Sequence, residues 1–278
     1  MQPALAPQRV ASAAAAAQLE RFLEAARGRT AVLTGAGVST DSGIPDYRGP
    51  NGVYVRNRGF TPLRYQEFVG AHAFRQRYWA RSFLGWPKIQ RAAPNASHEA
   101  LASLQRGHAV ANLMTQNVDG LHTKGGARGV LELHGNLQEV ECVACRRVTP
   151  REAMQRALAE LNPSVARWAG ANPGRDAGDV ASSVVNPDGD VEITWNYDAF
   201  EYPCCEACGG MLKPNALLVV GSSLQVFSAM RLLNRARDRK LPIALINLGP
   251  TRGDELCDLR LDIPCAEVLS TVAEALGS

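Results

Sequence analysis

Short apolar runs alternate with longer amphipathic stretches along this chain, and the runs read as strands while the stretches read as helices. Four runs stand out: Ala31–Leu33, Val110–Met114, Leu217–Val220 and Ile243–Ile246. Helical spacing covers Ala11–Arg27, where Leu19, Phe22, Leu23 and Ala26 share one face and Gly28 ends the helix. It recurs at Ser97–Arg106 and Ala229–Lys240. Strands alternating with helices predict an α/β fold built on a Rossmann-like, doubly wound parallel sheet.

In such a sheet the ligand lies beyond the carboxyl ends of the strands. Here every run is followed at once by polar or glycine-rich sequence: TGAGVSTDSGIPDYRG, TQNVDGLH, GSSLQV and NLGPTR. The site is expected on that rim. In the first loop Gly35 and Gly37 let backbone N–H groups approach a pyrophosphate. The loop matches a dinucleotide fingerprint only in part. Thr40 stands at the third glycine position, and no acid follows about twenty residues on to hold a ribose. A nucleotide must be held differently, under the polar continuation that runs to Arg48.

Composition adds limits. The 278 residues are 46% hydrophobic and 21% charged, enough for a sizeable core. No run approaches the ~18 apolar residues of a membrane span. A net charge of +3 does not by itself imply nucleic acid, and no direct nucleic-acid partner is expected. Between Asn51 and Asn95 the bases Arg56, Arg58, Arg64, Arg75, Arg77, Arg81, Lys88 and Arg91 face a single acid, Glu67. That stretch is either a solvated face or an anion-facing surface. The first nineteen residues carry one Arg and no acid, faintly like a transit peptide. The expected compartment is the cytoplasm, with the mitochondrial matrix as the alternative.

Cys142, Cys145, Cys205 and Cys208 form two C-x-x-C pairs with the spacing of a four-thiolate zinc site. Nothing suggests secretion, so these cysteines read as metal ligands in a reducing compartment. Four thiolates leave no open coordination position, which makes one zinc structural and pins a smaller lobe against the sheet. Cys204 offers a ligand in a shifted register.

GAGVSTDSGIPDYRG, TQNVDGLH, LELHGN, the two cysteine pairs, GSSLQV and NLGPTR, in this order, resemble the sirtuin family of NAD-dependent protein-lysine deacylases, over nearly the whole chain after Leu19. DYRG, RQRYWARSFLGWP and NPDGDVEI resemble its class II subgroup. The resemblance implies chemistry in which the bond between nicotinamide and ribose breaks and the acyl-lysine carbonyl oxygen attacks the sugar carbon. A base then takes a proton from a ribose hydroxyl. By resemblance that base is His134, with Asn117 and Asp119 ordering the nicotinamide ribose and carboxamide beside Gln116 and Val118. Gly35, Ala36, Gly37 and Ser39 line the NAD loop, and Ile44, Pro45, Asp46, Tyr47 and Arg48 cover the nicotinamide. Gly221, Ser222, Ser223, Asn247, Leu248, Gly249 and Cys265 fall at the adenosine end. Tyr78 and Arg81, three apart on one helix face, stand where some sirtuins recognise acidic acyl tails, or else are ordinary helix packing with a surface Arg.

The implied domains are 19–136 with 213–278 for NAD, including a helical insertion at about 47–95, and 137–212 for zinc. The implied partners are acylated lysine side chains of proteins. One departure matters. Family members continue from CGG-x-L-K-P through a strand, a peptide-clamping segment and a helix before LLVVGSSLQV, whereas here only Asn215 and Ala216 follow Pro214. Two expectations result. The first is an NAD-dependent protein-lysine deacylase that passes the acyl group to ADP-ribose and releases nicotinamide, with ADP-ribosyl transfer as a side activity. The second is a catalytically weak or silent NAD- and zinc-binding protein. The incomplete fingerprint argues against a hydride-transferring oxidoreductase.

Overall fold

The computed structural model describes residues 12–61, 63–171, 186–191, 196–215 and 227–276. The expected strand Leu217–Val220 and the loop Gly221, Ser222 and Ser223 lie outside the described residues. The chain begins with α1 (Ser12–Ala26), which buries Ala15, Ala16, Leu19 and Leu23. Arg27 and Gly28 turn it at φ of 51° and 70° into β1 (Thr30–Thr34). A Cβ at Gly28 would lie 2.6 Å from the carbonyl oxygen of His108, so both the backbone and the close approach demand glycine.

A 3-10 turn over Ala36–Ser42 leads through α2 (Val53–Arg56), α3 (Tyr65–Gly70), α4 (His72–Arg91) and α5 (Ala96–Arg106) to β2 (Val110–Thr115). The short α6 (Leu121–Lys124) then precedes β3 (Leu131–Glu132). β1, β2 and β3 form a parallel sheet in that order. Thr34 pairs with Thr115 and Thr115 with Glu132, so the three strands end level. That level edge brings three loops together.

The smaller lobe contains β4 (Glu139–Cys142), β5 (Val148–Pro150), α7 (Arg151–Leu161), α8 (Pro163–Ala171) and β6 (Leu212–Pro214). Its strands are antiparallel in the order β5-β4-β6. The chain returns through α9 (Phe227–Asp238), β7 (Ala244–Ile246), β8 (Leu259–Leu261) and α10 (Cys265–Leu276), with β7 and β8 parallel.

Two apolar cores result. One joins α1, α5 and α10 to β2 and β8 through residues such as Leu19, Leu101, Leu113, Leu261 and Val268. The other joins α4 to the lobe through Trp79, Phe83, Trp86, Val140, Met154 and Leu158. α4 therefore belongs to the lobe's core as much as to the sheet's surroundings.

The joint between α4 and α7 is built on a helix defect. Pro87 has no N–H to give to the carbonyl of Phe83, and Gln155 Nε2 takes that carbonyl instead at 2.7 Å. One helical turn before Gln155, Arg151 is 1% exposed, with its guanidinium 5.5 Å from the Trp79 ring and 5.1 Å from the Trp86 ring. It donates to the Ser82 carbonyl and hydroxyl at 3.4 and 3.2 Å and to Gln155 Oε1 at 2.7 Å. Burial pushes its pKa down to about 10, still fully charged at neutral pH. Indole faces and neutral oxygens thus hold a buried cation. Arg151→Ala is expected to lower unfolding free energy by about 3 kcal/mol, from the cavity together with the lost ring and hydrogen-bond contacts. Arg151→Lys should restore only a minor part, since an ammonium lacks the flat face that stacks between the rings. Denaturant titration of the three proteins measures both effects.

Candidate active site

The first strand exit is fixed by Ser39, which is completely buried. Its hydroxyl donates to Asp119 Oδ2 at 2.7 Å and accepts from Asn117 Nδ2 at 3.1 Å. The same amide also donates to the Gly35 carbonyl at 3.2 Å, and the other Asp119 oxygen accepts the Leu121 N–H at 2.9 Å. Two loops thereby lock each other before any ligand arrives. Gln116 extends the junction, its N–H donating to the Thr34 carbonyl at 3.0 Å. Its Oε1 is sealed from solvent without a hydrogen-bond partner among the described residues. A buried amide oxygen left so costs roughly 1–3 kcal/mol unless a ligand donates to it. Nothing lies within 4 Å of where a Gly37 side chain would start, so the glycine turn borders open space. An orphan acceptor and an open glycine turn on one rim fit a dinucleotide.

Beneath this layer lie two histidines that the sequence reading did not single out. His98 Nε2 is 3.4 Å from the Ser39 hydroxyl, and His122 Nε2 is 2.8 Å from the Thr34 hydroxyl. Their rings meet edge to face at 4.8 Å. Burial, then His98, pushes His122 down to about 3, so it is neutral. Burial also lowers His98, partly opposed by Asp119. The available signal was position: His98 completes the reciprocal cap of α5, its Nδ1 accepting the Asn95 N–H at 3.2 Å while Asn95 Oδ1 accepts from Ser97 at 2.9 Å.

His134 leaves β3 beside these loops. The Leu133 N–H bonds the Thr115 carbonyl at 2.9 Å, and His134 Nδ1 lies 2.9 Å from the carbonyl of Gln116. A carbonyl can only accept, so Nδ1 carries the proton and the basic lone pair sits on Nε2. Burial lowers the imidazole pKa below its ordinary value, and the Gln116 carbonyl pulls weakly the other way.

Ile44 is 3% exposed, and Asp46 Oδ1 accepts the Gly49 N–H at 2.9 Å. The Tyr47 and Asp46 carbonyls accept from Tyr54 and Val53 at 3.0 and 3.1 Å, and Arg48 lies over the Tyr54 ring at 5.0 Å. The loop from Ile44 to Arg48, with Pro45 inside it, is therefore closed on itself. The basic stretch around it is not uniformly anion-facing. Arg75 is spent on the Phe68 and Val69 carbonyls, and Arg81 Nε lies 2.9 Å from Asp190 Oδ2.

Asn247, Leu248 and Gly249 leave β7 on a separate sheet. The turn is held by Arg260, which donates to the carbonyls of Asn247 at 2.9 Å and of Gly249, and pairs with Asp254 at 3.1 Å. Cys265 opens α10, and its thiol is pushed up to about 11 by burial with a smaller contribution from Asp41 of the first loop. Its sulfur lies 3.9 Å from the Ile246 carbonyl at the end of β7. The structure thus gathers Gly35–Ser39, Gln116–Asp119 and His134 at one rim.

In the lobe, the sulfur atoms of Cys142, Cys145, Cys205 and Cys208 all lie within 4.8 Å of one another. Cys142 to Cys208 is 3.6 Å and Cys145 to Cys205 is 3.7 Å. A tetrahedron with 2.3 Å zinc–sulfur bonds has edges of about 3.8 Å, so the four fit zinc. Cys204 is exposed and outside the cluster.

The sequence profile of the Sir2 family matches residues 35–237. The chain is 51% identical to the NAD-dependent protein deacylase SIR4 of Batrachochytrium dendrobatidis, covering 94% of each protein. It is 40% identical to the mitochondrial NAD-dependent protein lipoamidase sirtuin-4 of Bos taurus, over 97% of this chain and 87% of that protein. The bovine alignment runs over 296 positions against 278 residues in the chain, so at least eighteen of its positions have no counterpart here. Among solved structures, a Sir2 variant with a deacetylated p53 peptide and 3′-O-acetyl ADP ribose superposes with a TM-score of 0.67 at 25% identity, covering 94% of this chain and 98% of that one.

Proposed function

The chain belongs to the Sir2 family, and from that premise we propose that it is an NAD-dependent protein deacylase acting on acylated lysine side chains. The observation that carries the reading is His134, whose Nδ1 is committed to the carbonyl of Gln116, on the loop that carries Asn117 and Asp119, so that Nε2 is the basic nitrogen. NAD supplies the ribose that loses nicotinamide and receives the acyl group. His134 Nε2 takes the proton from the attacking hydroxyl. Asn117 and Asp119, immobilised through Ser39, hold the ribose and carboxamide without reorganising. Backbone amides of Gly35, Ala36 and Gly37 would hold the pyrophosphate, and the loop from Ile44 to Arg48 would exclude water. Cys142, Cys145, Cys205 and Cys208 hold one structural zinc that keeps the lobe on α4.

The division proposed is 19–136 with 213–278, and 137–212; the core of α1, α5 and α10 lies wholly in the first part, while α4, in the insertion at about 47–95, shares its core with the second. The surplus alignment positions support a chain shortened relative to the bovine protein, and we place the missing segment after Pro214. No described helix is long and apolar enough to cross a membrane. The bovine relative is mitochondrial by name, which supports the matrix as the working compartment.

The test is product analysis by mass spectrometry after incubating the zinc-loaded chain with NAD and a mixed acyl-peptide library. Acyl-ADP-ribose, nicotinamide and deacylated peptide should appear in equal amounts. Bound NAD with no acyl loss from any peptide would overturn the proposal in favour of a silent binding protein.

A further inference from the structure

The segment between the two cysteine pairs returns a tight turn, 186–191, into the core beside the active-site rim. The Asn186 N–H bonds the Asp190 carbonyl at 2.7 Å, Gly189 N–H bonds the Asn186 carbonyl at 2.9 Å, and Asn186 Nδ2 bonds Asp190 Oδ1 at 2.6 Å. Gly189 has φ 78°, and a Cβ there would lie 2.5 Å from Leu137 Cδ1 and 3.5 Å from Ile89 Cγ1. The left-handed backbone and this close approach favour glycine here. Leu137 lies three residues past His134, and its N–H bonds the Val118 carbonyl at 3.0 Å. Val191, Leu137, Ile44 and Val118 belong to one apolar cluster. The turn is therefore packed against the apolar side chains that flank the imidazole loop.

Its polar face points at α4. Asp190 Oδ2 lies 2.9 Å from Arg81 Nε, with the two side chains only 16% and 8% exposed. Asp188 sits alongside: its Oδ1 is sealed from solvent without a hydrogen-bond partner among the described residues. Its carboxyl is held well above the usual carboxylate range by burial, then by Asp190, against a smaller opposing pull from Arg81. Asp190 thus pairs with the guanidinium, and burial beside Asp190 disfavours the charged form of Asp188.

We propose that Asp190 is a specificity-determining residue: it occupies Arg81 from within the chain, so an acyl group ending in a carboxylate must compete with Asp190 for that guanidinium. The physical basis is one apolar cluster: Ile44, Val118 and Leu137, which flank the imidazole loop, pack with Val191 of the turn whose Asp190 pairs with Arg81. A neutral chain leaves the pair intact. An anionic chain meets a cation already neutralised, with a second carboxyl in reserve.

The inference rests on the deacylase reading, and the experiment separates the two. Peptides carrying acetyl-lysine, glutaryl-lysine and the carboxamide of glutaryl-lysine are assayed with the full zinc- and NAD-loaded chain. The last two acyl groups match in shape and differ only in charge. Asp190→Asn is expected to raise the glutaryl-to-carboxamide ratio of kcat/KM by about tenfold, chiefly through KM. Adding Asp188→Asn should raise it further, Asp190→Glu should keep the wild-type ratio, and Arg81→Gln in the doubly neutralised chain should cancel the gain. Asp190→Ser gives the same reading should the asparagine variant melt early. An unchanged or lower ratio in the folded variants overturns the inference. So does cleavage of acetyl-lysine alone by every variant, since no longer acyl chain would then reach the pair. Failure to cleave any acyl group, acetyl included, defeats the deacylase reading itself.

Discussion

His134→Asn is expected to lower the deacylation rate by about 10²- to 10⁴-fold, the usual worth of a positioned general base, while zinc content and melting temperature stay at wild-type values. Asparagine can keep the hydrogen bond to the Gln116 carbonyl but offers no basic nitrogen. The pH profile sharpens the test. The imidazole works as a base only when neutral, and burial holds its pKa below the ordinary value. As pH falls the base protonates and the rate falls with it, so the acid limb of kcat/KM should break below about 6.5. Above that break this group leaves the rate flat. A limb that breaks above the ordinary histidine range, or that persists unchanged in His134→Asn, would show that another group is the base.

The second large effect concerns the lobe. Cys145→Ala removes one of the four sulfurs that lie within 4.8 Å of one another. The backbone N–H of residue 145, 3.5 Å from Cys142 Sγ, is kept by alanine, so the loss is that of the ligand sulfur. The variant is expected to lose its zinc and about 4 kcal/mol or more of stability, because metal binding and folding are one free energy in such a site. Deacylation should be lost with it, since α4, the lobe sheet and the turn at Asp190 share one core. Cys204→Ala serves as the control and should keep one zinc per chain. Elemental analysis alongside thermal melting measures both. Full zinc in Cys205→Ala with none in Cys204→Ala would move the ligand register by one residue.

Much of the site was legible because its requirements are local. Strand length and apolarity placed β1, β2 and β7 within a residue or two, and the polar rim followed from parallel strands ending together. The cysteine pairs were legible because a metal fixes both residue type and short spacing. His98 and His122 were not. Each looks from its neighbours like an ordinary helix residue, and only the crossing of α5, α6 and the first loop sets them beneath Ser39 and Thr34. Arg260 was missed for the same reason: it serves the turn at Asn247 from the neighbouring strand.

The sequence by itself determined the family, the α/β class, the zinc ligands and the candidate base, since each rests on residue identity at short range. The charge state and reach of the polar groups were decided only by tertiary structure. Arg81 reads in sequence as a surface cation or an acyl anchor, and becomes half of a buried pair through an aspartate 109 residues further along the chain. Arg151 likewise acquires two indole faces in place of a carboxylate. Burial sets whether such groups are solvated, paired or neutral, and burial is a property of contacts between distant segments that local pattern does not encode.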